Sequence, residues 1–249
     1  MKAGADAGVL RASLALGSVR TEAVVDADPS GHKRELLDRY ADALLRRNAA
    51  VNLTAARTRE AVEVHIADSV AIASFVREPF VDVGSGGGFP AIPLAIVTGF
   101  RGTLVEAVGK KARFLVEVIE ELGLPLDVRV MRAEDAGRDV GLRAQFASAT
   151  ARAVASLPAV LELTIPLLAV GGVAILQRGR IDTRERTAAV DAALVLGAVI
   201  DDERRLGDDE SDERRTVLAR KVAATNGRFP RRAGIPAKRP LCYEVGDLA

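Results

Sequence analysis

One stretch of this chain, Asp82-Val83-Gly84-Ser85-Gly86-Gly87-Gly88-Phe89-Pro90, permits few folds. The apolar run Phe80-Val81-Asp82-Val83 reads as a short strand, and it runs directly into the glycine cluster. A helix follows from about Pro90, a residue suited to the first helical position because its missing N–H is not needed there. Strand, glycine turn and helix in this order form the ligand-binding corner of an open α/β sheet, where ligands lie beyond the carboxyl ends of the strands. Gly84 and Gly86 allow a tight turn and close approach of main chain to a ligand.

The rest of the chain supplies the sheet that such a corner needs. Leu36, Leu37, Tyr40, Leu44 and Leu45 share one face of a helix that starts near Lys33. Thr58 is a natural N-cap for a second helix, Arg59 to Val76, with Val62, Ile66, Val70 and Ala73 as its apolar stripe. After the glycine corner, the pattern predicts strand Thr103–Ala107, helix Lys110–Leu122 and strand Leu126–Met131. A short helix after Glu134, strand Phe146–Ala151, helix Leu157–Leu168 and strand Val173–Gln177 come next. Strands and helices alternating at this spacing build a parallel sheet covered on both faces. Helix Thr183–Leu196 then leads to two strand-like runs, Ala198–Leu206 and Arg214–Val222, joined by the polar turn Gly207–Asp212. That hairpin places an antiparallel strand in the sheet. Residues 1–76 read as an N-terminal helical segment packed on a main domain, 77–249, that ends in a basic tail. The first 30 or so residues, rich in Ala, Gly and Asp, read as a loosely ordered lead-in.

Composition excludes several alternatives. Hydrophobic residues make up 49% and aromatic residues 4%, so a substantial core is built mainly from aliphatic side chains. A single cysteine, Cys242, rules out an internal disulfide and a cysteine-based zinc cluster. The most apolar stretch, Ala153 to Leu176, is interrupted by Pro158, Glu162, Pro166 and Gly171-Gly172, a pattern for buried helix, turn and strand rather than a membrane span. Asn52-Leu53-Thr54 matches a glycosylation sequon, but nothing else points to secretion, and the cytoplasm is the expected compartment. The formal net charge of +1 requires any nucleic-acid surface to be local.

The glycine spacing bears on the ligand. The loop reads D-x-G-x-G-x-G, whereas the dinucleotide fingerprint is G-x-G-x-x-G, and Phe89 stands at its final glycine position. The loop therefore suits S-adenosylmethionine better than a pyrophosphate. A nicotinamide or flavin site, and a glycine turn with no ligand, are the competing readings. Glu106 closes the second strand, 22 residues after Gly84, where an acid can accept both ribose hydroxyls of a nucleoside. A solvated strand-end carboxylate is the alternative. Strand three ends at Met131-Arg132-Ala133-Glu134, where an amide and a carboxylate can read the adenine edge; Glu134 also suits a helix N-terminus. His65 and Asp68, three apart on one helical face, are too few for a metal site and read as a hydrogen-bonded packing pair.

Several further segments occur in order: Asn52-Leu53-Thr54, His65-Ile66-Ala67-Asp68-Ser69, Asp82 through Pro93, Lys110 through Leu115, Arg132-Ala133-Glu134, Arg152-Ala153-Val154-Ala155 and Pro230 through Pro236. In this ordered set, from about Tyr40 to Leu241, the chain resembles the bacterial 16S ribosomal RNA guanine-N7 methyltransferases, the small subunit methyltransferase G family also called glucose-inhibited division protein B. The resemblance implies an α/β fold, the class I S-adenosylmethionine-dependent methyltransferase type, with a seven-stranded Rossmann-like sheet, an antiparallel terminal strand and added N-terminal helices over the cofactor entrance. It implies methyl transfer to N7 of a guanine in the 530 loop of 16S ribosomal RNA, with S-adenosylhomocysteine as product. It implies that Gly84, Gly86, Gly88 and Phe89 line the cofactor pocket, with Glu106, Ala107 and Val108 near ribose and adenine. Ala133 and Glu134 fall on the adenine side, and Arg152 near the reacting centre. The family often carries an acid near Ala147, Lys-Gly where this chain has Arg178-Gly179, and Asp where it has Glu106.

Guanine N7 carries an exposed lone pair, so no general base is required. Arg152, whose pKa is too high for a base, is expected to orient the cofactor carboxylate or the guanine oxygen. Lys110, Lys111, Arg113, Arg178, Arg231 and Arg232 are the candidate RNA contacts, with Arg228, Lys238 and Arg239 nearby in the tail. A solvated charged face is the alternative for each cluster. The expected partner is 16S ribosomal RNA or the small ribosomal subunit, with no membrane and no metal, and the chain is expected to be a monomer. The competing functions are an NAD(P)-dependent oxidoreductase and a non-catalytic RNA-binding relative.

Overall fold

The computed structural model describes residues 31–206 and 213–242. The lead-in before residue 31 and the expected turn Gly207–Asp212 lie outside the described residues. The elements in chain order are α1 (His32–Val51), α2 (Arg59–Val70), β1 (Phe80–Val83), α3 (Ala91–Thr98), β2 (Gly102–Val105), α4 (Gly109–Leu122), β3 (Leu126–Arg129) and α5 (Ala133–Ala136). Then follow β4 (Phe146–Arg152), α6 (Leu157–Thr164), β5 (Leu168–Arg178), α7 (Thr183–Leu196), β6 (Ala198–Arg205), β7 (Arg215–Lys221) and α8 (Ile235–Lys238).

The strands form one seven-stranded sheet in the order β3-β2-β1-β4-β5-β7-β6. Strands β1 to β5 pair in parallel, and β7 lies antiparallel between β5 and β6. The order reverses between β1 and β4, so the loops after these strands diverge and leave a crevice at the carboxyl edge. The fold is the class I methyltransferase sheet, with its antiparallel strand where the terminal hairpin required one.

Alternation along the strands divides the core into two layers. Phe80, Leu104, Ile175 and Leu218 face α1 to α4, and pack with Leu36, Tyr40, Leu44, Val62, Ile92 and Leu115. Val81, Val83, Val105, Ala149 and Leu176 face the other way, against Leu157, Leu161, Ala189 and Ala193 of α6 and α7. The N-terminal helices thus share a core with the sheet. Leu44 is fully buried, a stabilisation of about 1.5–3 kcal/mol for such a side chain.

Local chemistry sets most helix ends. The Thr58 hydroxyl accepts from the Ala61 amide and starts α2, as expected, and the Asp182 carboxylate accepts from the Glu185 amide and starts α7. Gly99, Gly123 and Gly197 end α3, α4 and α7 in the left-handed conformation. Several boundaries depart from the sequence reading, among them the end of the helix from Leu157, at Thr164 rather than Leu168. Helix α2 ends at Val70, and a 3-10 turn, Ala73–Phe75, replaces its expected last turn. Pro90 is the N-cap of α3 rather than its first residue. Strand β5 begins at Leu168, because the register slips between Phe146 and Ser148 and the surplus residues, including Gly171-Gly172, bulge without ending the strand. No helix among the described residues is long and apolar enough to cross a membrane.

Candidate active site

The glycine loop leaves β1 at the crevice. Gly84, Gly86 and Gly88 have φ of 74°, 54° and 100°, a region where L side chains are strained. At Gly88 a Cβ would lie 2.5 Å from Ile92 Cδ1, and at Gly84 one would lie 2.9 Å from Val154 Cγ2. Main-chain bonds shape the turn. The Gly84 and Ser85 amides donate to the Val105 carbonyl at 2.9 and 3.3 Å, and the Gly88 amide donates to the Ser85 carbonyl at 2.7 Å.

Glu106, buried just beyond β2, ties two loops together. Its Oε2 accepts from the Gly86 amide at 2.8 Å and its Oε1 from the Val108 amide at 2.7 Å. A carboxylate oxygen has a second lone pair, so these bonds leave room for hydroxyl donors. Ala107 and Val108 are exposed beside it.

Beneath the loop, Asp82 is fully buried. Its Oδ1 accepts from the Thr150 hydroxyl at 2.7 Å, and its Oδ2 has no partner. Burial raises its pKa to about 7, against the lowering effect of the Thr150 and Ser85 hydroxyls, and nearby Glu106 adds to the rise. A buried carboxyl oxygen without a partner is costly, and it marks a place prepared for a donor.

On the far side of the loop stands Arg152, the last residue of β4. Its Nη2 lies 2.7 Å from His65 Nδ1 and 3.5 Å from Asp68 Oδ2. A guanidinium only donates, so His65 accepts at Nδ1 and carries its proton on Nε2. Burial lowers the His65 pKa and the Arg152 charge lowers it further, with Asp68 opposing, which keeps the ring neutral. Asp68 also accepts from Arg214 Nη1 at 2.6 Å, and its carbonyl accepts from Gln177 Nε2 at 2.7 Å. Arg152 Nη1 and Gln177 Oε1 are buried without partners. The guanidinium sits 5.8 Å from the centre of the Phe89 ring, and the rings of Tyr40 and His65 meet Phe89 edge-on at 5.5 and 5.4 Å. Tyr40 donates to the Gly87 carbonyl at 2.8 Å. His65 and Asp68 are therefore not a pair with each other, as the sequence reading had them: both hold Arg152.

The loop between α1 and α2 lies against the glycine turn, since a Cβ on Gly87 would be 3.3 Å from the Leu53 carbonyl. Buried Asn48 shapes that loop. Its Oδ1 accepts from the Leu53 and Thr54 amides, and its Nδ2 donates to the Thr54 and Ala56 carbonyls. Asn52 ends α1 in the left-handed conformation and accepts from Arg57. Sequence reasoning missed Tyr40, Asn48, Gln177 and Arg214; Tyr40 carried only the signal of an apolar stripe.

The structure gives three expected site residues another task. Arg178 donates to the Ala155 carbonyl and, at 2.9 Å, to Glu185 Oε1, which also accepts from the Leu157 amide. It thus braces the loop after β4 from within. Arg231 makes a two-point ion pair with fully buried Glu162, and its amide donates to the same carboxylate. Glu134, expected at the adenine side, accepts from the Gly234 amide at 2.6 Å and so anchors the C-terminal segment. Arg138 and Arg143 clasp that segment through the carbonyls of Pro230, Phe229 and Thr225. Lys110, Arg113 and Arg232 remain exposed, and Lys111 is partly exposed.

Comparison with known proteins gives the family. The profile of the rRNA small subunit methyltransferase G family matches residues 33–210. A protein of that name from Chloroflexus aggregans is 43% identical over 219 residues, covering 85% of this chain and 92% of the relative. One from Rubrobacter xylanophilus is 41% identical over 225 residues, covering 85% of each. Among solved structures, an O-methyltransferase from Bacillus cereus in complex with S-adenosylhomocysteine is 20% identical, with a TM-score of 0.54 over 74% of this chain and 91% of that one, a likeness of fold alone. With a profile spanning most of its length and relatives above 40% identity, this chain belongs to the rRNA small subunit methyltransferase G family.

Proposed function

We propose that this protein transfers a methyl group from S-adenosylmethionine to N7 of a guanine in the 530 loop of 16S ribosomal RNA, working in the cytoplasm on the RNA of the small subunit. The observation that carries the reading is the pair of orphaned polar atoms on either side of the glycine loop. Asp82 Oδ2 lacks a donor and Arg152 Nη1 lacks an acceptor. An amino acid's ammonium and carboxylate are the complementary charges, and the positive-φ glycines between them leave main chain open to a close ligand. A nicotinamide dinucleotide offers phosphates in place of that ammonium, which favours the methyl donor.

Asp82 and Arg152 would hold the methionyl end, Glu106 the ribose, and the Ala133 region the adenine edge. The bound cofactor supplies an electrophilic methyl group on a sulfonium centre. The chain's own part is positioning. Guanine N7 already presents its lone pair, so the site needs no base, and the His65 ring and the Asp68 carboxylate hold Arg152 in place. Alignment of nucleophile and methyl group is the main source of acceleration. The ring of Phe89, braced by Tyr40 and His65, is an apolar wall that excludes water from the crevice. The guanine must leave its stack to arrive there, so looped RNA is the substrate rather than regular duplex.

The test is calorimetry with S-adenosylmethionine, followed by transfer to protein-free small-subunit RNA and to isolated subunits, reading N7-methylguanine. Binding with a single methylated guanine is the expected result. A protein that binds the cofactor and labels neither substrate overturns the reading.

A further inference from the structure

Several arginines of this protein are neutralised by an acid. Arg47 pairs with Glu117, Arg101 with Glu78, Arg186 with Glu203 and Arg220 with Asp201. Arg59 meets Asp38, Asp42 and Glu63 together. On the β5 side of the crevice, Arg178 and Arg231 point their charge inward at Glu185 and Glu162.

The loops after β2 and β3 differ. They are neighbours, because Val105 lies opposite Arg129 in the parallel register and the Glu106 amide donates to the Arg129 carbonyl at 3.1 Å. Arg129, Lys110, Arg113 and Arg132 are exposed and Lys111 partly so. Among the described residues, none of these five side chains has an ion-pair or hydrogen-bond partner. The acids among these cations are mostly engaged: Glu106 and Glu134 are buried on backbone amides, which leaves Asp135, three residues after Arg132, and Asp127, two residues before Arg129, as the exposed ones. Val108 and Val130 are 49% and 63% exposed between the cations. An unpaired cationic strip with apolar side chains among the charges fits a polyanion whose sugars and bases also need contact.

We propose that Lys110, Lys111, Arg113, Arg129 and Arg132 form the surface that holds the phosphate backbone of the RNA, on the β3 side of the cofactor loop. This rests on the RNA reading above and adds the direction of approach. The strand enters over the sheet edge formed by β3 and reaches the crevice through the loop that carries Glu106. The β5 side acts as a wall rather than a track, since Arg178 is committed to Glu185; in the C-terminal segment Arg231 is committed to Glu162, while Arg228, Arg232, Lys238 and Arg239 stay exposed.

The test compares the full chain with a triple variant, Lys110→Ala, Arg129→Ala and Arg132→Ala, and with a control, Arg101→Ala and Arg186→Ala. Binding of small-subunit RNA is measured from 50 to 300 mM salt, alongside S-adenosylmethionine affinity and thermal melting. Each lost phosphate contact lowers the slope of log K against log salt by about 0.7–0.9. The triple variant should therefore lose about two units of slope and at least about tenfold in RNA affinity at moderate salt, with cofactor affinity and melting unchanged. The control should match the parent. A triple variant with the parent's slope and affinity overturns the surface while leaving the function intact, and so does a control that loses as much as the triple. A parent chain that binds the cofactor but methylates no RNA overturns the function instead.

Discussion

The glycine loop is held by different means on its two flanks. Towards β2 the ties join adjacent strands: the Gly84 and Ser85 amides to the Val105 carbonyl, main chain to main chain, and the Gly86 amide to the Glu106 carboxylate just beyond β2. Towards β4 they are side chains from three distant segments, with Tyr40 on the Gly87 carbonyl and His65 and Asp68 on Arg152. The first flank is a cradle fixed by backbone geometry. The second is a set of charges and rings with unused bonding capacity at Arg152 Nη1 and Gln177 Oε1, able to take new partners when a ligand arrives. Shape resides on one side and adaptable charge on the other, so substitutions on the two flanks should fail in different ways.

The largest effect is expected from Gly88→Ala on the cradle. The residue has φ of 100°, and the added methyl would meet Ile92 Cδ1 at 2.5 Å and the Tyr40 hydroxyl at 3.2 Å. Left-handed strain of about 1–2 kcal/mol adds to overpacking of about 1–3 kcal/mol. Cofactor affinity by calorimetry should fall at least about a hundredfold, at 1.4 kcal/mol per factor of ten, with a lowered melting temperature. Parent-like affinity would mean that the cradle's shape is not what binds.

Arg152→Ala should fail in rate. With saturating cofactor, the single-turnover transfer rate should drop on the order of a hundredfold, because positioned groups of this kind contribute about 3 kcal/mol. Arg152→Lys should restore little, since an ammonium cannot reach His65, Asp68 and a ligand at once with a planar fork. An unchanged rate in Arg152→Ala removes the residue from the site and collapses the distinction between the flanks.

The two flanks also differ in how far they could be read from the residues alone. The cradle is built between segments joined by a parallel register, so the glycine spacing and an acid 22 residues later mark it in one dimension. The Arg152 flank is not marked. Arg152 meets His65 across 87 positions, and Asp68 meets Arg214 across 146. Tyr40 resembles any apolar helix residue until its hydroxyl is seen on Gly87. Charge runs mislead for the same reason. Arg178, Arg231 and Arg232 look alike as letters, but Glu185 and Glu162 decide that the first two face inward. Fold class follows from local periodicity, whereas the fate of a charge depends on the tertiary neighbour that neutralises it.

A smaller effect concerns Asp82, which serves both flanks. Its folded-state pKa of about 7 stands above its ordinary 3.8, so the folded protein holds a proton that the unfolded chain has released. That stabilisation is complete below about pH 4 and is lost as pH rises through about 7. Urea midpoints for the cofactor-free protein should therefore fall between pH 5.5 and 8, by an amount on the order of 1 kcal/mol or more. His65 opposes this between its ordinary 6.5 and its lowered folded pKa, where the unfolded chain takes up the proton first. Asp82→Asn fixes the neutral form and should flatten the slope. A slope that survives in Asp82→Asn assigns the titration to another group.

The smallest effect, and the finest test of the division, is at Ala153. It follows Arg152 directly and has φ of 52°, a left-handed conformation that costs a non-glycine residue about 1–2 kcal/mol. Its neighbour Val154 packs over Gly84, and Arg178 holds the Ala155 carbonyl, so the surroundings enforce the strained turn. Glycine at this position relieves the strain in the folded state but gains freedom in the unfolded one, for a net stabilisation of about 0.5–1 kcal/mol. Melting should rise by about 1–4 °C. Transfer should slow a few-fold with a smaller loss of cofactor affinity, because the arginine beside it is presented less rigidly while the cradle is untouched. A melting temperature that falls would show that the turn carries no strain. A loss of cofactor affinity equal to the loss of rate would show that the two flanks act as one.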